Sequence, residues 1–92
     1  MDKNSKKTEL INKMRQRYSA CSDAVSIIDA MMSMNVVLKR FVKKIYPDDA
    51  ASKELADSCT TIRHDLVSMK DEISDVALEW AEDIQKEERK GE

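Results

Sequence analysis

Few residues of this chain could do chemistry, and their spacing predicts no active site. The one histidine, His64, would need a partner at a defined spacing to hold a metal or to move a proton. A helical di-metal site would place Glu three residues before the His, and this chain has Thr61 there. We therefore expect His64 to be an exposed residue on the surface of a helix.

The other reactive side chains lack the neighbours that catalysis needs. Cys21 and Cys59 form no Cys-x-x-Cys motif, which argues against zinc, and the single glycine, Gly91, excludes a glycine-rich phosphate loop. Ser58, Thr60 and Thr61 have no nearby base to activate them. Acidic residues of the second half form a ridge that we expect to be solvated: Glu54, Asp57, Asp65, Glu72, Asp75, Glu79, Glu82 and Asp83. The sequence predicts no enzyme, metal, cofactor or small-molecule substrate.

Composition indicates that helices carry these residues. The chain has 92 residues, enough for one domain, with 37% charged and 4% aromatic residues. Its one proline, Pro47, lies near the middle, so both halves are free of helix breakers. We predict an all-α fold in one domain, 1–92, with helix one near 5–45, a turn at 46–49, helix two near 49–88 and frayed ends. Asp48 or Asp49, with Ser52 as a competitor, should cap helix two.

Each half carries apolar residues in alternating steps of three and four, which is the pattern of a coiled-coil seam. In the first half these residues are Ile11, Met14, Tyr18, Cys21, Val25, Ile28 and Met32. In the second half they are Leu55, Cys59, Ile62, Leu66, Met69, Ile73, Val76 and Trp80. A turn near 48–49 would make an antiparallel hairpin in which the numbers of facing residues add up to roughly 97.

That register predicts which residues face each other. Five pairs follow from it: Ile28 with Met69, Leu38 with Cys59, Tyr18 with Trp80, Phe41 with Ala56, and Cys21 with Val76. The two cysteines would then lie roughly 25 Å apart along the hairpin, beyond the reach of a disulfide. We expect both to be ordinary core residues.

The seam of helix one is displaced past Ile28, where a second apolar stripe takes over. Its residues are Ile27, Met31, Met34, Leu38, Phe41 and Ile45. Two arrangements explain the displacement. Either the helix bends or breaks near residues 33–35 so that both stripes face one partner, or the helix continues and offers apolar surface to two partners at once. The second arrangement predicts a partner-binding surface of Met31, Met34, Leu38, Phe41 and Ile45, with Val67 and Leu78 on a minor face of helix two.

A basic amphipathic segment at residues 36–46 offers a different function. It could bind nucleic acid or an anionic membrane through Lys39, Arg40, Lys43 and Lys44. The alternative is a solvated basic face, partly neutralised by Asp48, Asp49 and Glu54 near the turn. No DNA-reading module accompanies the segment.

Charge and hydropathy complete the sequence-based prediction. Residues 1–46 carry a net charge of +6 and residues 47–92 a net charge of −8, so the two halves would neutralise each other when they lie side by side. No run of apolar residues approaches the roughly 20 of a membrane span, and no signal peptide is visible, so we expect an intracellular protein, cytoplasmic or nuclear. Our leading hypothesis is a non-catalytic interaction module (an adaptor, assembly subunit or small inhibitor). It would form a four-helix bundle or coiled coil with a second copy or a helical partner.

Overall fold

The computed structural model describes residues 2–45 and 50–90, with side chains from Ser5 onward, and both described segments are helical. Helix α1 runs over Asp2–Ile45 and helix α2 over Ala50–Arg89, and they pack against each other as a hairpin. The predicted helices are confirmed to within a few residues. The predicted turn and the capping residues Asp48 and Asp49 lie outside the described residues. Ser52 is not the cap, because it is the third residue of α2 and is buried.

The hairpin consists of two compact units, each built from a stretch of both helices. The first unit contains α1 up to Val25 and α2 from Glu72. Its core includes the buried Ile11 and Met14, with Trp80 half-buried. The Arg17 guanidinium lies 4.9 Å above the Trp80 ring, and Arg15 pairs with Glu88. Arg17 thus covers the Trp80 ring, which the prediction did not include, while Tyr18, the predicted neighbour of Trp80, is exposed.

The second unit spans Ser26–Asp71 and contains Ile28, Val42, Cys59 and Leu66 as its buried apolar residues. Polar contacts cross between its helices at residues 35 and 59, 39 and 60, and 29 and 70. The numbers of these partners add up to 94 or 99, close to the predicted offset. The antiparallel register is thus confirmed for this unit.

Helix α1 does not break near residue 35, and its first seam continues through the displaced region. Beyond Ile28 the inward positions are Met32, Asn35, Lys39 and Val42, which keep the steps of four and three. Two of these residues are polar. The apolar pattern of the seam therefore ends in the sequence, although the seam itself continues. Of the two arrangements left open, the structure has the continuous helix with a second, exposed apolar stripe.

The predicted seam of α2 is half right. Cys59 and Leu66 are buried, and Ile73 and Trp80 are half-buried, as expected. The alternate positions are wrong because they point outward: Leu55, Ile62, Met69 and Val76 are all exposed. Of the residues one position later, Ala56, Lys70 and Ala77 turn inward, whereas Arg63 is exposed. Two of these inward residues are small alanines, and Lys70 reaches Asp29 on α1.

Candidate protein-interaction face

The seam between the helices of the second unit is unusually polar. Asn35 is buried and donates a hydrogen bond from Nδ2 to the main-chain oxygen of Cys59, 2.8 Å away. Lys39 donates from Nζ to Oγ1 of Thr60 over 3.1 Å, and Lys70 binds Asp29 over 2.7 Å. Polar groups at a seam are tolerated when they find partners. The apolar residues of this unit are consequently not all used between its own two helices.

The unused apolar residues form a stripe along α1. They lie one position before the seam residues, so they are turned about 100° around the helix from the contact with α2. Their exposed fractions are large: Ile27 60%, Met31 46%, Met34 63%, Leu38 52%, Phe41 55% and Ile45 63%. The predicted pairs of Leu38 with Cys59 and Phe41 with Ala56 are therefore wrong, since both side chains face outward and Asn35 contacts Cys59.

A column of three residues on α2 extends this surface. Leu55 and Met69 lie one position before the inward Ala56 and Lys70, and Ile62 lies seven residues from each of them, on the same side of α2. In antiparallel helices, a step of one residue toward the N-terminus turns both helices toward the same side of the hairpin. A shallow depression lined by Met31, Met34, Asn35, Leu38, Ile62 and Leu66 confirms that the stripe and the column share one side. We call these nine exposed side chains the apolar face.

The structure does not bring Val67 and Leu78 together with the predicted α1 residues. Val67 lies one position after a seam residue and lines a depression with Thr60, Arg63 and His64, on the other side of the second unit. Leu78 is 64% exposed but belongs to the first unit. The residues that sequence reasoning missed are Leu55, Ile62 and Met69, which it had placed in the core.

The basic residues of the alternative hypothesis do not act as one cluster. Lys39 is at the seam with its ammonium on Thr60, and the Lys44 Nζ lies 5.6 Å from the centre of the Phe41 ring. Arg40 and Lys43 remain exposed. The expectation that Lys39 shares a solvated face with Arg40 and Lys43 is therefore wrong.

The reactive residues are placed as ordinary helix residues. His64 is exposed, Cys59 is buried, Cys21 is half-buried, and both thiols are free. Within residues 2–45 and 50–90, no three His, Cys, Asp or Glu side chains lie close enough to hold a metal ion. All eight residues of the acidic ridge are exposed. The geometry thus offers packing surfaces, and the absence of enzymatic activity stays a prediction.

One finding differs from the sequence-based expectation about membranes. Within Ser5–Ile45, an 18-residue window has a mean hydropathy of 1.4, so α1 is long and apolar enough to cross a membrane by length and composition alone. The sequence argument missed it by looking for an uninterrupted apolar run, which Asp29 and Asn35 break. Core helices of soluble proteins and signal sequences have the same length and composition, so these two properties alone assign α1 no place in a membrane.

Comparison with known proteins adds no relative to this geometry: no protein-family model, no curated protein and no solved structure matches the chain. Function must therefore be inferred from the surfaces of the hairpin themselves.

Proposed function

We propose that this chain is a non-catalytic protein–protein interaction module that acts by helix packing, as an adaptor, assembly subunit or small inhibitor. The observation that carries the proposal is the apolar face. Its nine large side chains are each about half exposed, which leaves on the order of 800 Å² of apolar surface accessible. The largest apolar patch on a typical monomer covers about 300–600 Å². A patch above that range marks a surface that another molecule covers.

The small core of the hairpin supports the same proposal. Among the described residues, six apolar side chains are buried, and none is completely enclosed. A chain of this size has little apolar surface to bury, and burial drives folding. The nine large apolar side chains that remain in water therefore do not contribute the stabilisation that their burial would provide. Covering the apolar face with another helix would recover it.

The geometry of the face suits a helical partner. The α1 stripe repeats in steps of four and three, which is the spacing that knobs-into-holes packing between helices requires. Three methionines of the face, Met31, Met34 and Met69, add flexible side chains that adapt to a partner surface. An extended peptide or a small molecule would not use the helical spacing of the stripe. We infer a helix, or a pair of helices, as the structure that covers this face.

The alternative function is binding of a polyanion through the basic residues near the end of α1. Among the described residues, Arg40 and Lys43 are exposed there, while Lys39 donates a hydrogen bond to the Thr60 hydroxyl and Lys44 lies over the Phe41 ring. Two such cations on one helix provide a weak electrostatic attraction. Binding that depends on them should fall steeply as salt rises.

An affinity capture from the source cell, together with mass determination in solution, tests the proposal. The bait proteins are the wild-type chain, the double variant Met34→Glu/Phe41→Glu, and the double variant Arg40→Ala/Lys43→Ala. We expect the wild type to form a complex, with itself or with another protein, that withstands salt and is lost only in the first variant. A complex that dissolves in salt and is lost only in the second variant would contradict the proposal.

A further inference from the structure

The apolar face is self-complementary under a two-fold rotation. Along α1 the stripe occupies positions 27, 31, 34, 38, 41 and 45, and this spacing reads the same in both directions. An antiparallel second α1 would therefore pair Ile27 with Ile45, Met31 with Phe41, and Met34 with Leu38 of the second copy. All six side chains of the stripe find an apolar partner, as an isologous interface requires.

The column on α2 obeys the same rotation. Leu55, Ile62 and Met69 are symmetric about Ile62, so an antiparallel copy would pair Leu55 with Met69 and Ile62 with itself. The midpoint of the stripe is residue 36 and the midpoint of the column is residue 62. These positions lie opposite each other in the hairpin. Their numbers add up to 98, and those of the contacting pair Lys39 and Thr60 add up to 99. One axis therefore serves both helices.

From this symmetry we infer that a second copy of this chain covers the apolar face, in an antiparallel arrangement that forms a four-helix bundle. The inference rests on the proposed function and names its partner. The available area fits, because a standard interface buries about 800 Å² per partner, and most soluble oligomers are two-fold homodimers.

Disulfide trapping at Ile62 tests the inference. The experiment uses the full chain with Cys21→Ser and Cys59→Ala, and circular dichroism verifies that it remains helical. Because Ile62 lies on the axis, Ile62→Cys should form covalent dimers under mild oxidation. The matched control is Val67→Cys, on the opposite side of the same helix. We expect Ile62→Cys to cross-link at least about tenfold faster, since the thiols are held together in the dimer.

Mixed variants test the orientation. Chains with Met34→Cys should cross-link with chains carrying Leu38→Cys, as the antiparallel pairing requires. A parallel arrangement would instead join Met34→Cys to Ile62→Cys, and faster trapping of that mixture than of Ile62→Cys alone would overturn the inference. Equal trapping at Val67 and Ile62 would overturn it as well.

Failure of this inference can be told apart from failure of the proposed function. A wild-type chain that stays monomeric in a dilution series, yet binds another helical protein in a way that Met34→Glu/Phe41→Glu abolishes, would overturn the second copy and leave the interaction module standing. A monomer that instead co-sediments with vesicles of neutral and anionic lipid, and loses this binding in the variant Met34→Glu/Phe41→Glu, would overturn both. A monomer that binds nothing would also overturn both.

Discussion

Asn35 joins the two helices through a hydrogen bond from its side-chain amide to the main-chain oxygen of Cys59, 2.8 Å away. This position of a coiled-coil seam ordinarily carries an apolar residue, and a single polar residue there fixes register at a cost in stability. The bond lies on the more polar side of α1, which faces α2, while the apolar stripe is directed outward.

Replacing Asn35 should show how much this bond contributes. We expect Asn35→Ala to lower the free energy of unfolding by about 1–3 kcal/mol, because a buried hydrogen bond and packing volume are lost together. Asn35→Leu should lose less, since its side chain fills the space. Urea denaturation measures both. The control is Ser58→Ala, whose exposed hydroxyl bonds only its own helix. An unchanged midpoint for Asn35→Ala would contradict the prediction.

Leu66 and Ile62 separate the core from the apolar face. Both belong to the seam that the sequence predicts, but Leu66 is 6% exposed and Ile62 is 46% exposed. At low protein concentration, Leu66→Ala should cost about 2–5 kcal/mol and Ile62→Ala less than about 1 kcal/mol. The cost at Ile62 should grow with concentration as association buries it. Equal costs at every concentration would mean that the seam is wrongly assigned.

The ion pair between Lys70 and Asp29 should contribute little. Both side chains are more than a third exposed, at 38% and 53%, so water and salt screen the 2.7 Å contact. We expect Asp29→Asn to reduce the free energy of unfolding by less than about 1 kcal/mol, and the difference should shrink further in high salt. Denaturation at low and high ionic strength measures it. A large, salt-independent loss would show that the pair is more deeply buried.

Trp80 reports on the first unit. Because the Arg17 guanidinium covers its ring, Arg17→Ala should expose the indole and shift its emission to the red. Tyr18→Ala is the neighbouring control and should leave the emission nearly unchanged, since Tyr18 is exposed. A red shift in Tyr18→Ala alone would restore the predicted Tyr18–Trp80 contact.

The fold could be predicted from the sequence because the relevant signals are local. Pro47 separates two long stretches without helix breakers, and steps of three and four define a seam in each. The antiparallel register followed from the length of the helices and the place of the turn. The two helices and their antiparallel packing depend on such local signals, and the structure confirms them, whereas it confirms the predicted seams only in part.

The face that α1 turns toward α2 could not be predicted by following apolar residues. Past Ile28 the apolar pattern moves by one position, while the seam continues through Asn35 and Lys39. A polar residue at a seam is recognised only from its partner on the other helix, here the Cys59 carbonyl and Thr60. Extending the steps of three and four through polar residues would have found the continuation. The same one-position error on α2 placed Ile62 in the core.

The most direct test of the interaction function is sedimentation across a dilution series, with circular dichroism alongside. The wild-type chain is compared with Met34→Glu/Phe41→Lys and with the control Val67→Glu/Leu78→Lys, which changes two exposed apolar residues away from the apolar face. We predict a dimer for the wild type and the control, and a helical monomer for the first variant. A wild-type chain that stays a well-folded monomer and recruits no partner, or a dimer that survives the Met34 and Phe41 substitutions, would contradict the function proposed for the apolar face.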